Sequence, residues 1–192
     1  MERTITVILS GGQSCRMGCD KAGLSLAGRS FLDRMAQELS PLFGEVYVSV
    51  DQPGRYPGYR ELPDLRPGQG PLAGLEAAFL RTGAEAVFLA AVDLPFAGPA
   101  LAARVLSEAK GGDAWVIRRR SGEAEPLFAL YRRSCLETLS ACLDQGRRAM
   151  KALLDRVDCR WLEEGDLGEF DLERVLWNVN TREDYCRAAQ TE

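Results

Sequence analysis

A glycine-rich segment with two basic residues lies near the start of the chain and could bind phosphate. It reads Leu9-Ser-Gly-Gly-Gln-Ser-Cys-Arg-Met-Gly-Cys-Asp-Lys21, and we call Ser10–Lys21 the phosphate loop. Gly11 and Gly12 have no side chain, so backbone amides can approach phosphate oxygens closely there. Arg16 can bond to two oxygens at once, and Lys21 adds a compact positive charge. The loop predicts a site for a nucleoside triphosphate.

Two common phosphate-binding patterns fit the sequence less well. A Walker loop has lysine directly after its last glycine, but two residues separate Gly18 from Lys21. The dinucleotide pattern G-x-G-x-x-A occurs at 68–73, but the residues before it make a poor strand and Pro71 lacks an amide hydrogen. A glycine-rich turn with incidental charges is the remaining alternative for the phosphate loop.

Further oxygen donors follow apolar segments elsewhere in the chain. Asp93 comes directly after Ala86–Val92, and Mg²⁺ accepts such carboxylates while it bridges phosphates. Asn178 and Asn180 flank Val179, so both would point to one side if this segment were a strand. Asn180 could then give an oxygen to the same ion. The alternatives are a helix cap at Asp93 and a polar strand end or helix cap at Asn180.

A candidate for base recognition lies between these groups. The stretch Gly68–Gly74 (GQGPLAG) is uncharged, and its backbone could lie against a purine. Asp64 could accept from the N1 and N2 hydrogens of guanine, a two-point contact that adenine cannot make. An ordinary surface carboxylate is the alternative interpretation of Asp64.

Apolar periodicity indicates the elements that must position these groups. β-branched and apolar runs predict six strands: Thr4–Leu9, Glu45–Val50, Ala86–Val92, Ala114–Ile117, Leu127–Tyr131 and Val157–Leu162. Helices are predicted after Ser30 as N-cap, ending near Leu39 before Pro41, and then at five further places: Leu72–Leu80, Pro99–Ala109, Ser134–Leu143, Ala149–Asp155 and from about Arg182. The Pro- and Gly-rich residues 51–70 predict a long surface connection.

This alternation predicts an α/β fold with a mostly parallel sheet and helices on both faces, of the Rossmann-like type. No internal repeat or linker divides the sequence, which predicts a single domain over residues 1–192. Ligands collect at the carboxyl ends of the strands in such sheets. We therefore expect the phosphate loop and Asp93 to meet at one edge.

Composition excludes several classes of function. The net charge of −4 gives no broad positive field for nucleic acid, and the arginine clusters at 118–120, 132–133 and 147–148 are interpreted as surface. The chain has no histidine, which excludes a Ser-His-Asp or Cys-His mechanism and a zinc site that needs imidazole. Six cysteines without a Cys-x-x-Cys pair, no signal peptide and no long apolar run predict a cytoplasmic protein without a membrane segment.

Five motifs occur in order along nearly the whole chain: Leu9-Ser-Gly-Gly-x3-Arg16-Met-Gly-x-Asp-Lys21, Gly70-Pro-Leu-Ala-Gly74, Asp93-x-Pro95, Glu125-Pro-Leu-Phe-Ala-Leu-Tyr131 and Asn178-Val-Asn-Thr181. Together they resemble the molybdenum cofactor guanylyltransferases, within the glycosyltransferase-A-like nucleotidyltransferases. Two positions depart from the family, since Ser10 replaces an alanine and Ser49 stands where better-known members have asparagine.

The resemblance implies transfer of GMP from GTP to the terminal phosphate of molybdopterin, with Mg²⁺ as cofactor and pyrophosphate released. Carried over by position, it implies nucleotide contacts from Leu9, Ser10, Gly11, Lys21, Ser49, Asp64 and Asp93, with Asp93 on the metal. The residues themselves add Gly12 and Gly74 as nucleotide-binding candidates and Asn180 as a second metal ligand. Arg16, Lys21 and Asp93, through the ion it would hold, are the catalytic candidates because they can neutralise charge. Cofactor-donor proteins and acceptor molybdoenzymes are the implied protein partners.

Three other functions remain open from the sequence. A relative could use CTP on molybdopterin, or it could guanylylate another phosphorylated cofactor. Within the resemblance, the Gly11-Gly12 pair and Leu72 favour GTP. From a different class, the chain could bind a nucleotide or carry a cofactor without catalysis.

Overall fold

The structure, a computed structural model, describes residues 2–10 and 20–191. The predicted phosphate-binding residues Gly11, Gly12 and Arg16 therefore lie outside the described residues. The described part forms a seven-stranded sheet with helices on both faces, together with a two-stranded hairpin. The predicted α/β class is confirmed.

Nine strands occur in the described residues. In chain order they are β1 Thr4–Leu9, β2 Ser25–Leu26, β3 Arg29–Ser30, β4 Val46–Val50, β5 Arg60–Pro63, β6 Ala86–Ala91, β7 Ala114–Arg118, β8 Ala124–Arg132 and β9 Cys159–Glu163. The main sheet has the order β5-β4-β1-β6-β8-β7-β9, and β2 pairs with β3. Within this sheet β8 runs antiparallel to both of its neighbours, whereas the other pairs are parallel. The predicted, mostly parallel arrangement is confirmed.

Seven α-helices connect or follow these strands in the described residues. They are α1 Phe31–Phe43, α2 Pro71–Thr82, α3 Pro99–Glu108, α4 Leu136–Asp144, α5 Met150–Leu154, α6 Leu172–Val175 and α7 Arg182–Gln190. Short 3-10 turns add Lys21–Gly23, Arg133–Cys135 and Glu164–Leu167. No helix in the part of the chain that the structure describes is both long and apolar enough to cross a membrane.

The sheet separates two apolar cores because successive side chains of a strand point to opposite faces. Phe88 of β6 packs on one face, edge-on to Phe128 of β8 with ring centroids 4.9 Å apart. Val87 and Leu89 of the same strand point into the other core. Helices α1 and α3 cover the first face, and α2, α4 and α5 cover the second.

Helix α1 begins as predicted but ends later. The Ser30 side chain accepts from the Asp33 amide at 3.0 Å, which confirms the predicted N-cap. The predicted end before Pro41 is wrong, since the helix continues to Phe43. Pro41 costs only one backbone donor in the last turn, and burial of Phe43 against Phe88, with centroids 4.9 Å apart, compensates for that loss.

Three further differences concern short or irregular segments. The stretch predicted as a surface connection contains β5, which ends at Pro63 and, among residues 2–10 and 20–191, is an edge strand paired only with β4. The β2–β3 hairpin was not predicted, because two-residue strands carry no periodicity. Residues 177–180 are not a strand, so the predicted same-side geometry of Asn178 and Asn180 does not arise from strand alternation.

Candidate active site

The predicted polar groups lie at one edge of the sheet. Because β1, β4, β5 and β6 are parallel, their carboxyl ends meet there. Ser10 directly follows β1, and Ser49 lies near the end of β4. Asp64 directly follows β5, and one residue separates the end of β6 from Asp93. The predicted convergence of the start of the phosphate loop with Asp93 is confirmed.

A lysine, a carboxylate and an amide form the centre of this edge. The Lys21 Nζ lies 3.2 Å from Asp93 Oδ2 and 2.7 Å from Asn180 Oδ1. The Lys21 side chain is only 11% exposed, so its charge acts with little screening by water. Asp93 is not a helix cap, because α3 begins at Pro99 with Gly98 as its N-cap. We call Lys21, Asp93 and Asn180 the central cluster.

The second oxygen of Asp93 has unused bonding capacity. Oδ1 is buried and has no hydrogen-bond partner among the residues that the structure describes, which is costly unless a ligand satisfies it. The described residues also contain no group of three acidic or cysteine side chains that could hold a metal by themselves. Mg²⁺ is commonly held by one or two protein oxygens together with substrate phosphates. Asp93 and Asn180 fit that kind of site.

Lys21 is positioned by the residue before it and by a tyrosine from a distant loop. Asp20 caps the turn Lys21–Gly23 by accepting from the Ala22 amide at 3.1 Å. The Tyr56 hydroxyl donates to Asp20 Oδ2 at 2.9 Å, and Arg55 pairs with the same oxygen at 3.3 Å. Burial raises the pKa of Tyr56 to about 12, so its hydroxyl remains a donor at neutral pH.

Asn180 is positioned by contacts on both sides along the chain. The Val179 amide donates to the Asp93 carbonyl oxygen at 2.8 Å, which ties the segment to the end of β6. Asp184 Oδ2 accepts from the Asn180 amide at 3.2 Å and completes a capping box with Thr181 at the start of α7. Bonds from Thr181 lower the pKa of Asp184 to about 2. The carboxylate therefore stays ionised and keeps this turn in place.

Ser49 and Asp64 form a second polar group beside the central cluster. Ser49 Oγ donates to Asp64 Oδ1 at 2.8 Å, and Ser10 Oγ donates to the Ser49 carbonyl at 2.8 Å. Burial raises the pKa of Asp64 to about 6, with Asp51 adding negative charge nearby. Asp64 is therefore a half-buried carboxylate whose second oxygen can accept from a ligand.

Gly74 lies in the first turn of α2 and packs closely against β1 and β4. Helix α2 begins at Pro71, one residue before the predicted start at Leu72, so Gly74 and the rest of this stretch after Gly70 are helical. A Cβ at Gly74 would lie 2.8 Å from Leu9 Cδ2 and 2.8 Å from Ser49 Oγ. Glycine here lets the helix approach the strand ends and leaves Ser49 free to bond to Asp64.

We expect Gly74→Ala to destabilise the protein although alanine is the better helix former. The clash should cost about 1–3 kcal/mol and the helix propensity should return up to about 1, so unfolding in denaturant should show a net loss. Gly165→Ala is the control, because a Cβ there meets nothing within 4 Å. Equal stability of the two variants would contradict this prediction.

A buried ion pair supports the loop that precedes α2. Glu76 of α2 is 2% exposed and accepts from Arg66 Nε at 3.0 Å and from Ser140 Oγ at 2.8 Å. Arg66 also reaches Asp144 at the end of α4. These bonds attach the loop before Gly70 to helices α2 and α4 and so hold this side of the site in place.

A further carboxylate lies on the other side of Asp93. Glu125, at the start of β8, accepts from the Leu127 amide at 3.2 Å, and the Asn178 side chain lies nearby. Burial and the nearby Asp93 charge raise the pKa of Glu125, while Arg119 opposes that rise. Arg119 itself donates to the Leu176 carbonyl at 2.9 Å.

The arginine run 118–120 is largely occupied by contacts within the fold. Arg118 pairs with Glu163 and lies over the Trp161 ring at 4.9 Å, while the Arg120 amide donates to Glu164 at 2.8 Å. The interpretation of this run as surface is therefore refined. The Arg118 side chain joins β7 to β9, the Arg119 side chain bonds to the segment before Trp177, and Arg120 bonds through its backbone amide.

Sequence reasoning missed several residues that shape the site. Asp20 directly precedes Lys21, and its capping preference was a usable signal. Tyr56 and Arg66 gave no such signal as site residues, because Tyr56 acts on Asp20 from 36 residues away and Arg66 acts by joining α2 to α4. Glu125 opens one of the family motifs, but the sequence assigned it no role. Leu9 contacts the site through its packing against Gly74.

The fold and the central cluster together define a protein of the nucleotidyltransferase class. A family model described as the MobA-like NTP transferase domain matches residues 6–159. The chain belongs to this family.

Named relatives cover almost the full length of the chain. A probable molybdenum cofactor guanylyltransferase of Pelotomaculum thermopropionicum is 33% identical over 95% of this chain and 90% of its own length. A molybdenum cofactor guanylyltransferase of Desulfosudis oleivorans is 31% identical over 98% of this chain and 95% of its own length. Among solved structures, molybdopterin-guanine dinucleotide biosynthesis protein A of Archaeoglobus fulgidus superposes with a TM-score of 0.83 at 26% identity, covering 97% of each chain.

Proposed function

We propose that this protein transfers GMP from GTP to the phosphate of molybdopterin and releases pyrophosphate. The observation that carries the proposal is the central cluster, in which Lys21 lies between Asp93 and Asn180 at the edge where nucleotide phosphates would bind. The named guanylyltransferase relatives, which match most of the chain, support the choice of substrates.

The site favours guanine over cytosine on chemical grounds. Asp64 presents a carboxylate, which accepts hydrogen bonds and donates none when ionised. Guanine offers two adjacent donors, N1–H and the 2-amino group, whereas cytosine offers one donor beside the N3 acceptor, which the carboxylate would repel. Ser49 holds Asp64 in place from β4. This supports GTP as substrate rather than CTP.

We propose Mg²⁺ as the cofactor, held by Asp93 and Asn180. The buried Asp93 Oδ1, which has no partner among residues 2–10 and 20–191, supports this assignment. When bound, the ion would neutralise negative charge on the triphosphate. Lys21, released from Asp93 and Asn180 when substrate arrives, would bind the phosphates and stabilise the charge that develops on the leaving pyrophosphate.

The reaction needs no general base from the protein. The attacking group is a phosphate monoester with a second pKa of about 6, so it is already largely ionised at neutral pH. A bond forms from its oxygen to the α-phosphorus of GTP, and the bond to pyrophosphate breaks. The task of the protein is to align the two substrates and neutralise charge, which suits a chain without histidine.

Pyrophosphate release with matched substrates tests the proposal. The protein is incubated with Mg²⁺, molybdopterin and either GTP, CTP or ATP. We expect release with GTP that depends on both molybdopterin and Mg²⁺. Release with CTP alone would indicate a cytidylyltransferase, and GTP binding without turnover on any phosphorylated pterin would indicate a carrier.

We expect GTP binding to weaken about tenfold between pH 7 and pH 5. The pKa of Asp64 is raised to about 6, so the carboxylate gains a proton as the pH falls through that value. At pH 5 roughly one tenth of it remains ionised and able to accept from guanine. Equilibrium binding of GTP without acceptor measures the effect.

Asp64→Asn is the reference for this pH effect, because the GTP phosphates titrate identically in both proteins. The variant should bind GTP weakly at both pH values, so the difference between the proteins should shrink as the pH falls. A constant ratio of the two affinities across this range would remove Asp64 from base recognition.

We also propose a cytoplasmic location and contact with proteins that supply or receive the molybdenum cofactor. The free thiols of Cys135, Cys142, Cys159 and Cys186 support a reducing compartment.

The proposed contacts with partner proteins follow from the proposed reaction, since its substrate and product are both cofactors used by other enzymes.

A further inference from the structure

Glu125 is a carboxylate that the proposed GMP transfer does not use. It lies at the start of β8, which is next to β6 in the sheet. Ser49 and Asp64 belong to β4 and β5 on the other side of β6, so Asp93, which follows β6, lies between them and Glu125. Its side chain is half-buried, and it forms no ion pair within the described ranges 2–10 and 20–191. The Leu127 amide donates to it at 3.2 Å, and the Asn178 side chain lies nearby and opposes the rise of its pKa. A carboxylate desolvated in this way favours a ligand that donates hydrogen bonds.

The two substrates of the proposed reaction share one hydrogen-bonding edge. Guanine and a pterin both contain a 2-amino-4-oxopyrimidine ring, with a ring N–H next to an exocyclic amino group. A carboxylate can accept from both donors at once. The site has such a carboxylate on each side of Asp93, with Asp64 after β5 and Glu125 on β8.

We propose that Glu125 recognises the pterin ring of the acceptor through its ring N–H and 2-amino group. This inference rests on the proposed function, because it assigns the acceptor to the side of Asp93 opposite to the guanine. The Leu127 amide binds one oxygen of the Glu125 carboxylate at 3.2 Å and so restricts its direction. Glu125 thereby determines specificity for the acceptor and takes no part in bond making.

A purely structural role for Glu125 would have different consequences. Its neighbour Asn178 lies two residues before Asn180, so Glu125 could serve only to position the central cluster. Loss of such a role would lower turnover with any acceptor. It would not change the preference between two pteridines that differ only at the 2-position.

Pterin and lumazine make that comparison, because lumazine has an oxygen in place of the 2-amino group. Fluorescence titration measures the binding of each to the full-length protein with GTP and Mg²⁺ present. We expect wild type to bind pterin at least tenfold more tightly than lumazine. Glu125→Gln keeps the shape of the side chain but turns a donor toward the ring, so it should abolish the preference.

Glu123→Gln is the matched control, since Glu123 is an exposed carboxylate two residues away. It should keep the pterin preference, and GTP binding by Glu125→Gln checks that this variant is folded. If that variant does not fold, Glu125→Asp, which shortens the acid, should reduce the preference. Equal binding of pterin and lumazine by wild type, no detectable binding of pterin, or an unchanged preference in a folded Glu125 variant would each overturn the inference.

The pyrophosphate assay separates this inference from the proposed function. Molybdopterin-dependent release of pyrophosphate from GTP without a pterin preference would leave GMP transfer intact and remove Glu125 from acceptor recognition. A Glu125-dependent pterin preference without any transfer to molybdopterin would overturn the proposed reaction instead.

Discussion

Asp93→Asn should lower the rate of pyrophosphate release by about 10³-fold, which corresponds to roughly 4 kcal/mol of transition-state stabilisation. The substitution keeps the size of the side chain but removes the negative charge that faces Lys21 at 3.2 Å. It also replaces one carboxylate oxygen, which weakens the proposed contact with Mg²⁺. Initial rates over a range of Mg²⁺ concentrations measure the effect, and excess Mg²⁺ should restore only a small part of the rate.

Asp155→Asn is the control for this prediction. Asp155 is an exposed carboxylate that pairs with Lys151 on the surface of the protein, and such pairs contribute little to stability. Its substitution should leave turnover unchanged. A rate for Asp93→Asn within tenfold of wild type would remove Asp93 from the catalytic machinery.

Lys21→Met should have opposite effects on turnover and on metal binding. The variant loses the ammonium group that would neutralise the leaving pyrophosphate, so we expect turnover to fall by about 10²- to 10³-fold. In the free protein, however, that ammonium bonds to Asp93 Oδ2 and Asn180 Oδ1, so it competes for the same two side chains that would hold the ion. Its removal should tighten Mn²⁺ binding about fivefold, or roughly 1 kcal/mol of relieved competition.

Mn²⁺ titration by electron paramagnetic resonance, without nucleotide, measures the second effect. Lys151→Met is the matched control, because Lys151 is an exposed lysine on α5 that bonds only to Asp155 at 2.7 Å among the described residues. It should change neither quantity. Weaker Mn²⁺ binding by Lys21→Met than by wild type would show that Lys21 and the ion do not share ligands.

The elements that the sequence predicts well are those fixed by local patterns. The run of β-branched and apolar residues at Thr4–Leu9 and the apolar run before Asp93 predicted β1 and β6, and Ser30 predicted the start of α1. Parallel strands end at the same edge of a sheet, so these local predictions were enough to predict that the start of the phosphate loop lies near Asp93. Burial of Phe43 acts across the chain, and it therefore overrode the local signal of Pro41 at the end of the same helix.

Side-chain contacts over long distances could not be predicted in this way. Tyr56 fixes Asp20 from 36 residues away, and Lys21 reaches Asn180 across 159 residues. No spacing rule joins such pairs, because only the folded sheet brings them together. The sequence singled out both Lys21 and Asn180 as candidates, but the contact between them comes from the structure. Gly11, Gly12 and Arg16 remain predictions.

Because β8 runs in the reverse direction, the site is built from two separate stretches of the sequence. Along the parallel strands the chain arrives at the edge as each strand ends, and it has contributed Ser10, Ser49, Asp64 and Asp93 by residue 93. Strand β8 instead begins at the edge, so Glu125 arrives with a later stretch of chain. With the role proposed for Glu125, substitutions on β8 would alter the acceptor while the residues at the ends of the parallel strands stay unchanged, so one scaffold could make different products from a single donor.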